Sequence, residues 1–184
     1  MKKDDLLKPI FQIVFFVIGC GIAFLVFSRF QPGTAEKNNP VDYASTGPSE
    51  GDTVEIPELS NLNGEVVKLQ GTKEKYILCA FFSTACPGCV KDSELWKDLN
   101  VEATKKKIAF HLISVDNDRD RVKRFVEAYN IDTLPILLLR DQNAQTFKID
   151  YVPQYLLLTS SGKVVKRWMG IQENKKEIIE LPDS

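Results

Sequence analysis

The run YILCAFF, Tyr76 to Phe82, passes without a break into STACPGCV, Ser83 to Val90, and the reading of that junction decides the fold. Seven nearly continuous apolar residues suit a strand covered on both faces, as strands of a parallel or mixed sheet are. Past Ser83 the chain carries Pro87 and then Val90, Leu95, Leu99 and Val101 with charges between, which predicts a helix from Pro87 to about Thr104. Cys86 and Cys89 therefore fall where a central strand ends and a helix begins, the carboxyl edge at which open α/β sheets build sites. By themselves, two thiols three residues apart suit a redox couple, half of a metal site, a structural staple or two inert core residues.

The neighbouring stretches extend the pattern. TVEIPELSNLNGEVVKL holds two short extended runs around Asn63-Gly64, a dipeptide suited to a tight hairpin. IAFHLISV, Ile108 to Val115, predicts a second buried strand. RDRVKRFVEAYNI predicts a helix, with Val122, Phe125, Val126 and Tyr129 at helical spacing. PILLL from Pro135 is a strand, QYLLLTSSGKVVKRW is two strands around Ser161-Gly162, and ENKKEIIEL is a short closing helix. Hairpin, then β-α-β-α-β, then hairpin and helix implies an α/β fold: a mixed central sheet flanked by helices.

The amino terminus is a different material. PIFQIVFFVIGCGIAFLVFS, between Lys8 and Arg29, carries no charge. At about 1.5 Å per residue it spans a hydrocarbon core of roughly 30 Å. Residues 1–8 are read as a cytoplasmic start and 9–28 as a transmembrane anchor, because Lys2, Lys3 and Lys8 precede the run. VIGC, ending at Cys20, is the runner-up, a lipoprotein processing box; a cleaved secretory signal is a third reading. Each exports the remainder. Residues 29–52, rich in Pro, Gly, Asn and Ser, are read as a flexible linker, and 53–184 as one domain. With 24 Lys+Arg against 25 Asp+Glu, no basic surplus points to nucleic acid.

At the mouth of a helix, unpaired N–H groups and the dipole favour an anion, and a thiolate is one. Cysteines so placed can have a pKa lowered from about 8.5 into the 3.5–7.5 range. Pro87 suits the first helical position, and Gly88 removes bulk beside the sulfurs. Cys89 lies a turn along on the same face, close enough to bond to Cys86. The expected roles are unequal: Cys86 attacks a partner's disulfide, and Cys89 then attacks Cys86 and frees the partner.

YILCAFFSTACPGCVKD resembles the active-site strand, loop and helix of the thioredoxin superfamily. Together with NLNGEVVKL and VPQYLLLTSSGKVVKRWMG, the chain from about Val54 onward is similar to the membrane-anchored TlpA/ResA-like branch. The resemblance implies that Cys86 is the nucleophile and Cys89 the resolving thiol. It implies that Pro153 is a cis-proline facing the disulfide, and that the backbone of Val152 pairs with the incoming peptide. Pro135 competes for that role but lacks the hairpin that follows Pro153. The implied activity is extracytoplasmic thiol–disulfide exchange in the reducing direction. The implied clients are disulfide-bearing exported proteins such as apo-cytochrome c, with a membrane thiol-transfer protein as electron donor. No cofactor is expected beyond a Cys86–Cys89 disulfide.

Three positions depart from the family. Ala85 stands where many members carry Trp, Ala80 stands where thioredoxins proper hold a buried acid, and Pro-Gly reverses the order between the thiols. Asp116 is read as a capping or turning residue and only lastly as a proton acceptor. A thiol peroxidase of the same superfamily is the enzymatic rival, since Ser83 lies three residues before Cys86; Cys79 occupies its proline's place. A copper carrier is the rival of another class, yet His111 is the one histidine and sits in an apolar strand. No metal site is expected, because zinc normally takes four ligands. A permanent staple closing so small a loop would add little stability. Cys79, Trp96 and Trp168 are read as packing residues.

Overall fold

The computed structural model describes residues 47–139, 147–172 and 177–178. The expected cytoplasmic start, the anchor at 9–28 with Cys20, and most of the linker lie outside the described residues. Among the described residues no helix is long and apolar enough to cross a membrane.

Among the described residues, seven strands form one mixed sheet: β1 Leu59–Asn61, β2 Val66–Val67, β3 Tyr76–Phe82, β4 Ala109–Ser114, β5 Ile136–Leu138, β6 Gln154–Thr159 and β7 Val164–Met169. Their spatial order is β2-β1-β5-β4-β3-β6-β7. The β3–β4 and β4–β5 pairs are parallel, and the remaining pairs are antiparallel. Parallel neighbours need crossovers, and helices supply them.

Side-chain alternation along β3 explains why its sequence is apolar throughout. Leu78, Ala80 and Phe82 face a core built with Leu95, Trp96, Leu99, Val122 and Phe125 from the helices. Ile77, Cys79 and Phe81 face the opposite layer, where Val54, Leu59, Leu69 and Phe147 pack with Leu156 and Leu158. Burial pushes the Cys79 thiol up to about 12, so it stays a neutral apolar filler, as its surroundings suggest.

The single helix expected from Pro87 to about Thr104 is two: α1 Pro87–Lys91 and α2 Ser93–Lys105. The break falls at Asp92, which caps the end of α1 and the start of α2 and turns its carboxylate inward. Helical spacing of apolar residues gives no sign of such a joint. The third helix, α3 Arg119–Ala128, starts where Asp118 accepts a hydrogen bond from the Arg121 N–H. Of the closing helix, residues 177–178 are described and helical.

The end of the segment read as linker is stitched to the sheet. Gly51 N–H donates to Val164, and Val164 N–H donates back to Asp52, at 2.9 and 2.8 Å. Gly162, in the β6–β7 turn, has φ +89°, and a Cβ there would sit 2.3 Å from the Val54 carbonyl oxygen. Val54 N–H donates to the Gly162 carbonyl at 2.9 Å, so that turn anchors the segment by which the chain enters the domain. Gly162→Ala should cost about 2 kcal/mol or more. Urea titration should find a lowered midpoint at an unchanged slope.

Candidate active site

β3 delivers the chain to the carboxyl edge of the sheet, and residues Ser83–Ala85 form the approach to the first sulfur. Asp116, just past β4, organises that approach. Its carboxylate accepts from the Ser83 hydroxyl at 2.9 Å and from the Thr84 N–H at 2.6 Å. Asp116 is thus a brace between two strand ends, a role beyond the capping or turning expected of it. Asp118 does the capping. Ser83 also accepts from the Ala85 N–H at 3.2 Å, which occupies the hydroxyl that the peroxidase reading would need.

Cys86 is the N-cap of α1, with Pro87 at the first helical position. Its Sγ accepts from the Cys89 N–H and donates to the Val152 carbonyl, each at 3.3 Å. Cys86 is half-buried, whereas Cys89 is wholly buried, and both are free thiols. The Val152–Pro153 peptide bond is cis. Gly88 lies between helix and bend: a Cβ there would stand 3.0 Å from Ile171 Cγ1 and 3.2 Å from Pro153 Cδ. Cys86, Gly88, Val152 and Pro153 are therefore one surface, with Ile171 and Tyr151 exposed on its rim. Pro135 lies elsewhere: its carbonyl accepts from the Leu112 N–H at the start of β5.

Burial first of all pushes the Cys89 thiol well above the ordinary cysteine range. The hydrogen bond with Cys86 adds to this, and the nearby charges of Cys86 and Asp92 press the same way; a backbone hydrogen bond from Ser83 opposes them. The second sulfur thus holds its proton until something takes it. Sequence reading missed a buried acid close by in the chain. Asp92, only 3% exposed, accepts from the Tyr155 hydroxyl at 2.6 Å, and that hydroxyl accepts from Trp96 Nε1 at 3.0 Å. Burial, reinforced by Asp92, raises the Tyr155 phenol far above its usual value, so it remains a donor. The missed signal was spacing: Asp92 follows Cys89 by three residues, which puts it on the same side of a helical turn.

His111 is half-buried on β4, and burial lowers it to about 4, so it is neutral near pH 7. It borders a cleft of about 450 Å³ with Asn61, Asp132 and Pro135. Another, of about 420 Å³, is bordered by Asp116, Arg119 and Asp120. Neither includes a cysteine. Among the described residues no group of three His, Cys, Asp or Glu could hold a metal.

Residues 49–180 match the Redoxin family. The chain belongs to that family. It is 26% identical to the thiol-disulfide oxidoreductase ResA of Bacillus cereus over 183 residues, covering 98% of this chain and 95% of that protein. It is 25% identical to the thioredoxin-like protein YneN of Bacillus subtilis over 132 residues, 71% of this chain and 77% of that one. Among solved structures, the putative thiol:disulfide interchange protein DsbE of Chlorobium tepidum superposes with a TM-score of 0.62. That match has 18% identity and covers 72% of this chain and 93% of the other. StoA of Bacillus subtilis does so at 0.58, again with 18% identity, over 72% and 98%. The fold of this Redoxin member is thus the thioredoxin-like one expected from YILCAFFSTACPGCV. The burial contrast predicts which thiol reacts. Brief alkylation of the native reduced chain, followed by peptide mapping, should label Cys86 and leave Cys79 and Cys89 unlabelled until denaturant is added.

Proposed function

We propose that this chain, a thiol–disulfide oxidoreductase of the thioredoxin superfamily, works outside the cytoplasm as a reductant of exported proteins. Residues 9–28 tether it to the membrane, and the Cys86–Cys89 couple is its redox group. A membrane thiol-transfer protein returns it to the dithiol form, and apo-cytochrome c is the client class favoured by the resemblance to the TlpA/ResA-like branch. The observation carrying this reading is the inequality of the two sulfurs. One is half-exposed beside Val152 and Pro153; the other is buried one turn behind it.

The chemistry follows from that inequality. The Cys86 thiolate attacks one sulfur of a client disulfide; a Cys86–client S–S bond forms, and the client's other sulfur leaves as a thiolate and takes up a proton. Loss of the Cys86 proton frees the Val152 carbonyl for a client N–H, so the bend that bordered the thiol becomes a strand edge for the bound peptide. Cys89 then gives its proton to the Asp92 carboxylate and attacks Cys86. The Cys86–Cys89 bond forms, and the second client thiolate departs. Two electrons pass to the client, and the protein is left oxidised.

Asp92 supplies the acid that Ala80 does not. Ala80 pairs across the sheet with Tyr155, and the hydroxyl of Tyr155 reaches Asp92. The carboxylate comes from the helix joint instead of from β3.

Three outcomes test the reading. Cys86→Ala should abolish disulfide reduction. Cys89→Ser should accumulate a stable mixed disulfide with the client, visible on a non-reducing gel. The midpoint of the couple should lie below about −250 mV; a value near −120 mV would make the protein an oxidase and overturn the direction.

A further inference from the structure

Resting on the dithiol reading above, we infer that Tyr155 is a positioning residue for the resolving half-reaction: with Trp96 behind it, it fixes the Asp92 carboxylate, three residues past Cys89, in its ionised form.

The geometry is a directed chain of donors. Trp96 Nε1 can only donate, and it donates to the Tyr155 oxygen at 3.0 Å. With that oxygen engaged as an acceptor, the hydroxyl proton points to Asp92 Oδ2 at 2.6 Å, the distance of a charge-assisted bond. Three elements supply the three groups: α2 the tryptophan, β6 the tyrosine, and the α1–α2 joint the carboxylate. All three groups are buried, so water does not compete for the carboxylate oxygen that the phenol holds. A carboxylate taken out of water tends to protonate, and a proton already on Asp92 would leave Cys89 without an acceptor. A hydrogen bond donated to the ionised form opposes that tendency. Packing alone does not account for the pair of polar bonds, because phenylalanine would fill the same space. Around that carboxylate, α1 supplies Cys89, whose thiol feels its charge, and β6 supplies the Tyr155 hydroxyl, whereas β3 contributes Ala80 and Phe82 to the same core.

The step served is the second one. Cys89 S–H transfers its proton to Asp92 as its sulfur attacks Cys86. The S–S bond between the two cysteines forms, the bond to the partner breaks, and the partner leaves as a thiolate. Protonated Asp92 then returns its proton to solvent or to the leaving group. Cys86's own attack on a disulfide uses neither Asp92 nor Tyr155.

That division gives the test. The full chain, with Cys20→Ser to remove a competing thiol, is reduced and mixed with an aromatic disulfide whose thiolate absorbs visible light. Attack by Cys86 releases one coloured thiolate, and attack by Cys89 releases a second. Tyr155→Phe should leave the first release within about a factor of two. It should move the acidic limb of the second release upward by about one to two pH units, because an Asp92 without its donor protonates at higher pH. At pH values below the new limb the second release should slow about tenfold or more. Trp96→Phe should shift the limb the same way by less. In an Asp92→Asn background, Tyr155→Phe should have no further effect beyond about a factor of two, since its action passes through the carboxylate. An unmoved limb in Tyr155→Phe overturns the inference, as does an equal slowing with and without Asp92. Loss of the first release in the parent chain would instead overturn the dithiol reading itself.

Discussion

Covering β3 on both faces constrains the molecule more than any other single feature. A strand with one wet face can slip by two residues and keep its pattern. Here Ile77, Cys79 and Phe81 pack into one layer while Leu78, Ala80 and Phe82 pack into the other. Six register pairs to β4 and six to β6 hold the strand in the middle of the sheet. Its last residue is therefore fixed in space, and Cys86 follows only four residues later. Neither sulfur needs a flexible loop to find its place, which suits a reaction that depends on a near-collinear approach of sulfur to sulfur.

The same rigidity governs the surroundings of the thiols. β6 pairs antiparallel to β3, so the bend at Val152–Pro153 arrives at the carboxyl edge just as β3 leaves it. Gly88 lets the helix and the bend come together, because any larger residue would meet Pro153 and Ile171. Asp116 braces the approach from the far side by holding Ser83 and Thr84. A thiol bounded by a helix start, a backbone carbonyl and a braced loop is held in one orientation, and little ordering would remain to be done on binding.

Beneath that surface one chain of polar contacts stands out, while the side-chain amide of buried Gln154 has no hydrogen-bond partner among the described residues. Burying a carboxylate is costly unless hydrogen bonds replace its water. Asp92 receives one from Tyr155, which is itself held by Trp96, and the aromatic rings of Trp96 and Phe82 pack 5.2 Å apart to close the site from below. The outcome is a buried carboxylate three residues past the second sulfur, held by a hydrogen bond from β6. The carboxylate comes from the junction of α1 and α2, where Asp92 keeps αR dihedrals and its side chain is buried.

Local pattern determined a great deal here. YILCAFF forms a doubly covered strand, Pro87 opens a helix and Gly162 takes a positive φ in a turn, each in keeping with its local pattern. The spacing of Cys86 and Cys89 brings their sulfurs within reach in any helical first turn. Those features rest on covalent geometry and on short-range burial, and both are written residue by residue. Pairings between distant segments were not so written. Nothing in the amino-acid order says that Tyr155 reaches Asp92, 63 positions earlier, or that Asp116 holds Ser83 and Thr84. Polar partners of that kind are chosen by the register of β6 on β3 and of β4 beside it, since only the assembled sheet determines which buried hydroxyl faces which carboxylate.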